Sequence, residues 1–190
     1  RVLLQDALGI AQHHDAVSGT EKQHVANDYA LRISRAVEAA KPIAGKMVLA
    51  STGLDESMKV DQCMLANVSV CEATTKLSKE NSLTIVMWNS LAHVRDDFVE
   101  IPVDEEHIKL TDLQSNEEVP VEITPALPAV EQYGLDRIRS DGAKYSLRFR
   151  AHVEAMSFSK YLMEVKQGEK SKLYLDSIER KKSLKHDNTM

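Results

Sequence analysis

Near residue 82 the hydrophobic pattern of this chain changes its period, and no single class of secondary structure can satisfy both halves. Upstream, Val25, Tyr29, Ile33, Val37 and Ala40 recur at the spacing of one face of an α-helix. Downstream, Leu147, Phe149, Ala151 and Val153 alternate with Ser146, Arg148, Arg150 and His152, which places apolar side chains on one face of a strand and polar ones on the other. The chain is therefore read as α+β: a helical, bundle-like segment over residues 1–53, a connector over 54–81, an antiparallel β-sandwich-like segment over 82–166, and a charged tail or incomplete strand over 167–190. A chain of 190 residues is long enough to bury a real core.

Within the helical part, Val2, Leu3, Leu4, Ala7, Leu8 and Ile10 form an apolar set wide enough for a well-buried helix over residues 1–12. A polar run over 13–20 interrupts it. Thr20 and Gln23 have capping-box spacing and are expected to start a second helix, which Pro42 should end or kink. Residues 43–50 extend or rejoin it, and Ser51-Thr52-Gly53 stops it. In the β part, strands are expected at 83–88, 98–103, 119–123, 145–153 and 158–165, with turn signals at 125–128, 133–134 and 141–142.

Charge and composition exclude some functions. A formal net charge of -5 provides no basic field for nucleic acid or an anionic membrane. Aromatic residues make up 5% of the chain, which argues against base stacking and against the aromatic platforms of a carbohydrate-binding module. No apolar run approaches the ~20 residues of a membrane-spanning helix. The end at Arg1 carries no signal peptide, and the simplest expectation is a chain that starts in mid-protein.

Two features point to the secretory pathway. Cys63 and Cys71 flank Asn67-Val68-Ser69, a glycosylation sequon. A disulfide between them would close a short loop with Asn67 near its tip and imply an oxidising compartment. Two buried free thiols and a chance sequon are the alternative.

The densest polar cluster is Gln12-His13-His14-Asp15-Ala16-Val17-Ser18-Gly19-Thr20. Two histidines and a carboxylate at a junction between helices resemble part of a zinc site. Adjacent residues on a helix point about 100° apart, so one histidine would be a ligand and the other would support the fold. The competing reading has His13 capping or packing, His14 solvated and Asp15 capping the next helix. His24 and Asp28, four positions apart, are read as a solvated helix face. The usual local signatures of metalloproteases, serine hydrolases, phosphate loops and dinucleotide-binding folds are absent from the sequence.

The run ALGIAQHHDAVSGTEKQHVANDY, residues 7–29, closely resembles a hallmark of the lysosomal and vacuolar α-mannosidases, glycoside hydrolase family 38. Further blocks resemble the same family in the same order. They are CMLANVSVC at 63–71, TIVMWNSL at 84–91 (usually VVVYNPL), the strand at 101–103, and FRAHVEAMSFSKY at 149–161 (usually F-x-A-x-V-P-P-L-G-F-x-x-Y). Ser90 and Glu154-Ala155-Met156-Ser157 depart from proline- and glycine-rich turns without touching chemistry.

The resemblance implies part of a zinc-dependent, retaining α-mannosidase that removes terminal α-mannose from N-linked glycans during glycoprotein breakdown. It makes His14 a zinc ligand, Asp15 a hydrogen-bonding partner of bound mannose, and His13 a structural residue. It makes Cys63–Cys71 a disulfide and Asn67 a glycosylation site. The family's nucleophile and acid/base belong to an N-terminal α/β domain whose segments are not in this sequence, so the chain alone is expected to be inactive. The implied cofactor is Zn2+. The implied partners are mannose-containing oligosaccharides and the remaining domains of the same enzyme, with a homodimer of the whole enzyme left open. The implied address is the lysosome or vacuole, with extracellular delivery as an alternative. The rival reading is a non-catalytic β-sandwich/helical interaction module, separated from the first by zinc stoichiometry.

Overall fold

A computed structural model describes residues 2–66, 69–78, 80–126 and 142–166. Asn67, the turn signals at 127–128, 133–134 and 141, and the tail at 167–190 lie outside the described residues. The architecture is α+β, as the change of period requires, and it divides into two compact units, Arg1–Gln62 and Cys63–Met190.

The first unit consists of α1 (Val2–Ala11), α2 (His14–Ser18) and α3 (Gln23–Thr52). α1 packs on α3. The buried positions are mostly small, Ala7 in α1 and Ala36, Gly45 and Leu49 in α3. The expectation of a well-buried first helix does not hold among the described residues, because Val2, Leu3, Leu4 and Leu8 are exposed. The contact with α3 buries Ala7 and leaves Ile10 half-buried, while these four side chains stay open to solvent. Pro42 does not end its helix, and α3 runs through it for 30 residues. Proline removes one N–H and so one intrahelical bond to the Glu38 carbonyl. Buried residues lie on both sides of Pro42, Ala36 before and Gly45 and Leu49 after. The stop comes at Gly53, whose φ of 66° is left-handed.

The second unit holds α4 (Glu72–Thr75) and seven strands, β1 (Ser82–Asn89), β2 (Arg95–Val103), β3 (Ile108–Asp112), β4 (Glu118–Val119), β5 (Val121–Pro125), β6 (Tyr145–Val153) and β7 (Ser157–Val165). They form two antiparallel sheets, one in the order β1-β7-β3-β4 and the other in the order β2-β6-β5. Leu147 and Phe149 of β6, Val103 of β2 and Ile123 of β5 share one core with Leu110 of β3 and Tyr161 and Met163 of β7. Phe149 and Tyr161 meet edge to face across it, with ring centroids 5.1 Å apart. The Tyr161 hydroxyl satisfies its polarity locally: it accepts from the His152 N–H at 3.2 Å and lies 3.3 Å from the His152 carbonyl.

From Leu147 on, β6 shows the expected alternation, with Leu147, Phe149, Ala151 and Val153 buried and Arg148, Arg150 and His152 exposed; Ser146, expected on the wet face, is instead buried and donates to Glu100. Its wet face carries ion pairs to β2. Arg150 holds Asp96 through two bonds of 2.6 and 2.8 Å, and Arg148 reaches Glu100 at 3.2 Å. The single strand expected at 119–123 is in fact two. β4 pairs with β3 in one sheet and β5 with β6 in the other, with Pro120 between them. Proline cannot donate to a ladder, so it sits where the chain leaves one sheet for the other.

The cysteine segment is fastened to the β unit. Cys63 and Cys71 are joined by a disulfide with Cα atoms 5.1 Å apart, within the usual range. The Thr74 hydroxyl donates to the Pro102 carbonyl at 2.5 Å, Leu77 enters the core, and the Ala143 N–H donates to the Ser69 carbonyl at 2.8 Å. Low aromatic content argues against surface aromatic platforms, yet two aromatics among the described residues are exposed. Trp88 is 67% exposed and stacks on Phe158 of the neighbouring strand, and Phe98 is 70% exposed. Trp88 follows Leu83, Ile85 and Met87 out of phase by one residue, so the pleat turns it away from the core.

Candidate functional site

The polar junction between α1 and α2 brings His13, His14 and Asp15 together. α1 tightens at its end, where the Gln12 N–H reaches the Leu8 and Gly9 carbonyls and the His13 N–H reaches that of Ile10. His13 then takes φ -57° and ψ 145°, outside the helix, as the residue preceding α2. The 100° separation of adjacent helical side chains therefore does not apply. The two imidazoles lie 4.1 Å apart between centroids, tilted at 48°. One ligand atom from each of His13, His14 and Asp15 lies within 4.8 Å of the others.

Asp15 is the hub of this cluster. His13 Nε2 is 3.4 Å from its Oδ2, and His14 Nε2 is 3.8 Å from its Oδ1. The ring of His14 is 84% exposed, so it is open to a ligand, while His13 and Asp15 are about half exposed. Imidazole nitrogens and a carboxylate oxygen are the donors that a borderline divalent cation takes. Among the described residues this is the one group of three or more such side chains close enough to share an ion.

The chain around the cluster closes differently from the expected capping box. α3 begins after Lys22 and has no side-chain cap, and the Thr20 hydroxyl points the other way. It donates to Asp15 Oδ1 at 3.0 Å. α2 ends in a left-handed Gly19, with the Gly19 N–H on the Ala16 carbonyl at 3.3 Å and the Thr20 N–H on the Asp15 carbonyl at 3.1 Å. That bond pattern is a Schellman closure, and glycine suits it because a side chain at φ 67° is strained. The Gly19-Thr20 pair after a short helix was the available signal for this bond, and Thr20 is the residue that reasoning from spacing alone assigned to the wrong helix. On α3, Asp28 pairs with Arg32 at 2.7 Å rather than with His24, and the Arg32 guanidinium is pushed up by that hydrogen bond first and by the charge of Asp28 after it.

Comparisons with known proteins give the family context of this cluster. Residues 3–50 match the model of the α-mannosidase middle domain, a span that contains the whole cluster. Over 176 residues the chain is 39% identical to an α-mannosidase of Arabidopsis thaliana, which covers 85% of this chain and 17% of that protein. It is 38% identical over 117 residues to the lysosomal α-mannosidase of Dictyostelium discoideum, covering 58% of this chain and 12% of that one. It is 31% identical over 158 residues to the lysosomal α-mannosidase of Bos taurus, covering 83% and 14%. The helical unit is thus similar to the middle domain of a glycoside hydrolase. The chain belongs to the α-mannosidase family, and it spans less than a fifth of the length of these relatives.

Proposed function

We propose that this chain supplies the metal-binding and sugar-binding corner of a zinc-dependent, retaining α-mannosidase acting on terminal α-mannose of N-linked glycans. The observation that carries the reading is the convergence of His13, His14 and Asp15 inside the span that matches the middle domain. The donor set fits zinc, since imidazole and carboxylate are its common ligands and a junction offering so few donors leaves positions for ligands from elsewhere in the whole enzyme. His14 is the ligand, through an imidazole nitrogen. Asp15 accepts a hydrogen bond from a mannose hydroxyl. A zinc ion held by His14 would supply orientation of the bound sugar and electrostatic stabilisation of charge developing near it. Two carboxyl groups about 5–5.5 Å apart, supplied from outside this chain, carry out the retaining displacement.

The names of the relatives support a lysosomal or vacuolar address, and the disulfide suits an oxidising compartment. Asn67 is the proposed glycosylation site, and the partners are mannose-containing oligosaccharides and the rest of the same polypeptide. No helix among the described residues is long and apolar enough to cross a membrane. The test is zinc content in the full-length enzyme. His14→Ala is expected to lose zinc and activity together, and Asp15→Asn to keep zinc while binding sugar poorly. A His14→Ala enzyme with full zinc content refutes the ligand assignment.

A further inference from the structure

We propose that Thr20 is a positioning residue for this reaction, fixing the orientation of the Asp15 carboxylate through its hydroxyl; the inference rests on the reading of Asp15 as a sugar-binding group. Thr20 sits two residues beyond the end of α2, and two bonds tie it to Asp15. Its N–H donates to the Asp15 main-chain carbonyl at 3.1 Å, and its hydroxyl donates to Asp15 Oδ1 at 3.0 Å. The first bond belongs to the Schellman closure and is made by any residue at this place. The second needs a hydroxyl. The Ser18 hydroxyl lies beside it, with Oγ 2.9 Å from Thr20 Oγ1 and in contact with the His14 main-chain carbonyl, and its single proton can serve only one of these two acceptors at a time.

An ionised carboxylate has roughly four lone-pair sites. Thr20 occupies one on Oδ1, and His13 Nε2 stands 3.4 Å from Oδ2. The carboxylate is thus held by a hydrogen bond at Oδ1, with the His13 ring beside Oδ2, and its orientation is restricted before any ligand arrives. The Asp15 side chain is about half exposed, so packing alone does not hold its rotamer. Binding a sugar hydroxyl to a carboxylate already fixed costs less ordering than binding it to one that rotates. A loop that merely ended a helix would have no use for the hydroxyl, and that difference is testable.

The experiment compares Thr20→Val, Thr20→Ser, Asp15→Asn and the double variant Thr20→Val/Asp15→Asn in the full-length enzyme. It measures kcat and KM on an aryl α-mannoside, direct binding of methyl α-mannoside, zinc content by elemental analysis, and melting temperature. Thr20→Val is expected to lower kcat/KM and sugar affinity roughly tenfold, the scale of one hydrogen bond to a charged group, with zinc content unchanged. Thr20→Ser should restore most of the loss. In the Asp15→Asn background Thr20→Val should cost clearly less than in the wild type, because the charged acceptor through which it acts has been replaced by a weaker amide oxygen. Should Thr20→Val not fold, Thr20→Ala carries the same expectation. Wild-type sugar binding by Thr20→Val while Asp15→Asn is impaired overturns the positioning role, and so does full additivity in the double variant. Wild-type behaviour of Asp15→Asn instead removes the underlying reading of Asp15, and the two failures are told apart by that single variant.

Discussion

Asn89 is 4% exposed, yet it carries a full set of amide hydrogen bonds. Its Nδ2 donates to the carbonyls of His93 at 2.8 Å, Val153 at 3.1 Å and Glu154 at 3.0 Å, and its Oδ1 accepts the Leu91 N–H at 3.0 Å. One side chain therefore pins the turn after β1 to the turn between β6 and β7, a link between the two sheets. Two amide hydrogens serve three carbonyls, so the replaceable content is about three bonds. At about 1 kcal/mol each, Asn89→Ala should lose about 3 kcal/mol. For a unit of this size that is roughly 10–20 °C in melting temperature. Trp88, the one tryptophan of the chain, is the adjacent residue and reports unfolding by fluorescence in a urea titration. Asn89→Asp should be at least as damaging at neutral pH, because a carboxylate would face three carbonyl oxygens. That burial would raise the new carboxyl's pKa, so the fold binds more protons than the unfolded chain and stability recovers as pH falls. A loss below about 0.5 kcal/mol for Asn89→Ala would refute this accounting of buried hydrogen bonds, as would an Asn89→Asp variant stable at neutral pH.

Three further outcomes are expected. Replacing Cys63 and Cys71 by alanine should lower the stability of the β unit by about 2.5 kcal/mol, from the entropy of a loop spanning a separation of 8; an unchanged urea midpoint contradicts it. The Glu100 carboxyl is held below its ordinary value by the Ser146 hydroxyl first, with partial burial opposing and Arg148 adding to the lowering. Its contribution is present above the ordinary carboxylate range and is lost as pH falls through its depressed pKa, and Ser146→Ala should shift that titration upward in an NMR carbon experiment; an unmoved titration sinks the assignment. The purified 190-residue chain should show no turnover of an aryl α-mannoside, and measured turnover would show that nucleophile and acid are not supplied from elsewhere.

The β unit was most legible where one face is wet. β6 could be read from Leu147 to Val153, because the charges of Arg148 and Arg150 cannot enter the core that takes Leu147 and Phe149, whereas the small Ser146 could be buried. The change of sheet at Pro120 was not legible. Val119, Val121 and Ile123 alternate as one strand, and only tertiary pairing assigns β4 and β5 to different sheets. At the candidate site the donor types were plain in the sequence, but their convergence was not. It depends on ψ 145° at His13, a turn angle that no period encodes. Thr20 misled for a related reason. Its hydroxyl can serve the helix on either side, and proximity to Asp15 after the left-handed Gly19 decides between them.

The most direct test of the central claim is anomalous scattering at the zinc edge from crystals of the full-length enzyme that contains this chain. The expected result is one peak about 2.0–2.1 Å from an imidazole nitrogen of His14, with Asp15 beside the sugar in a mannose-soaked crystal. A peak ligated entirely by other residues, with the His14 ring turned away from it, contradicts the account.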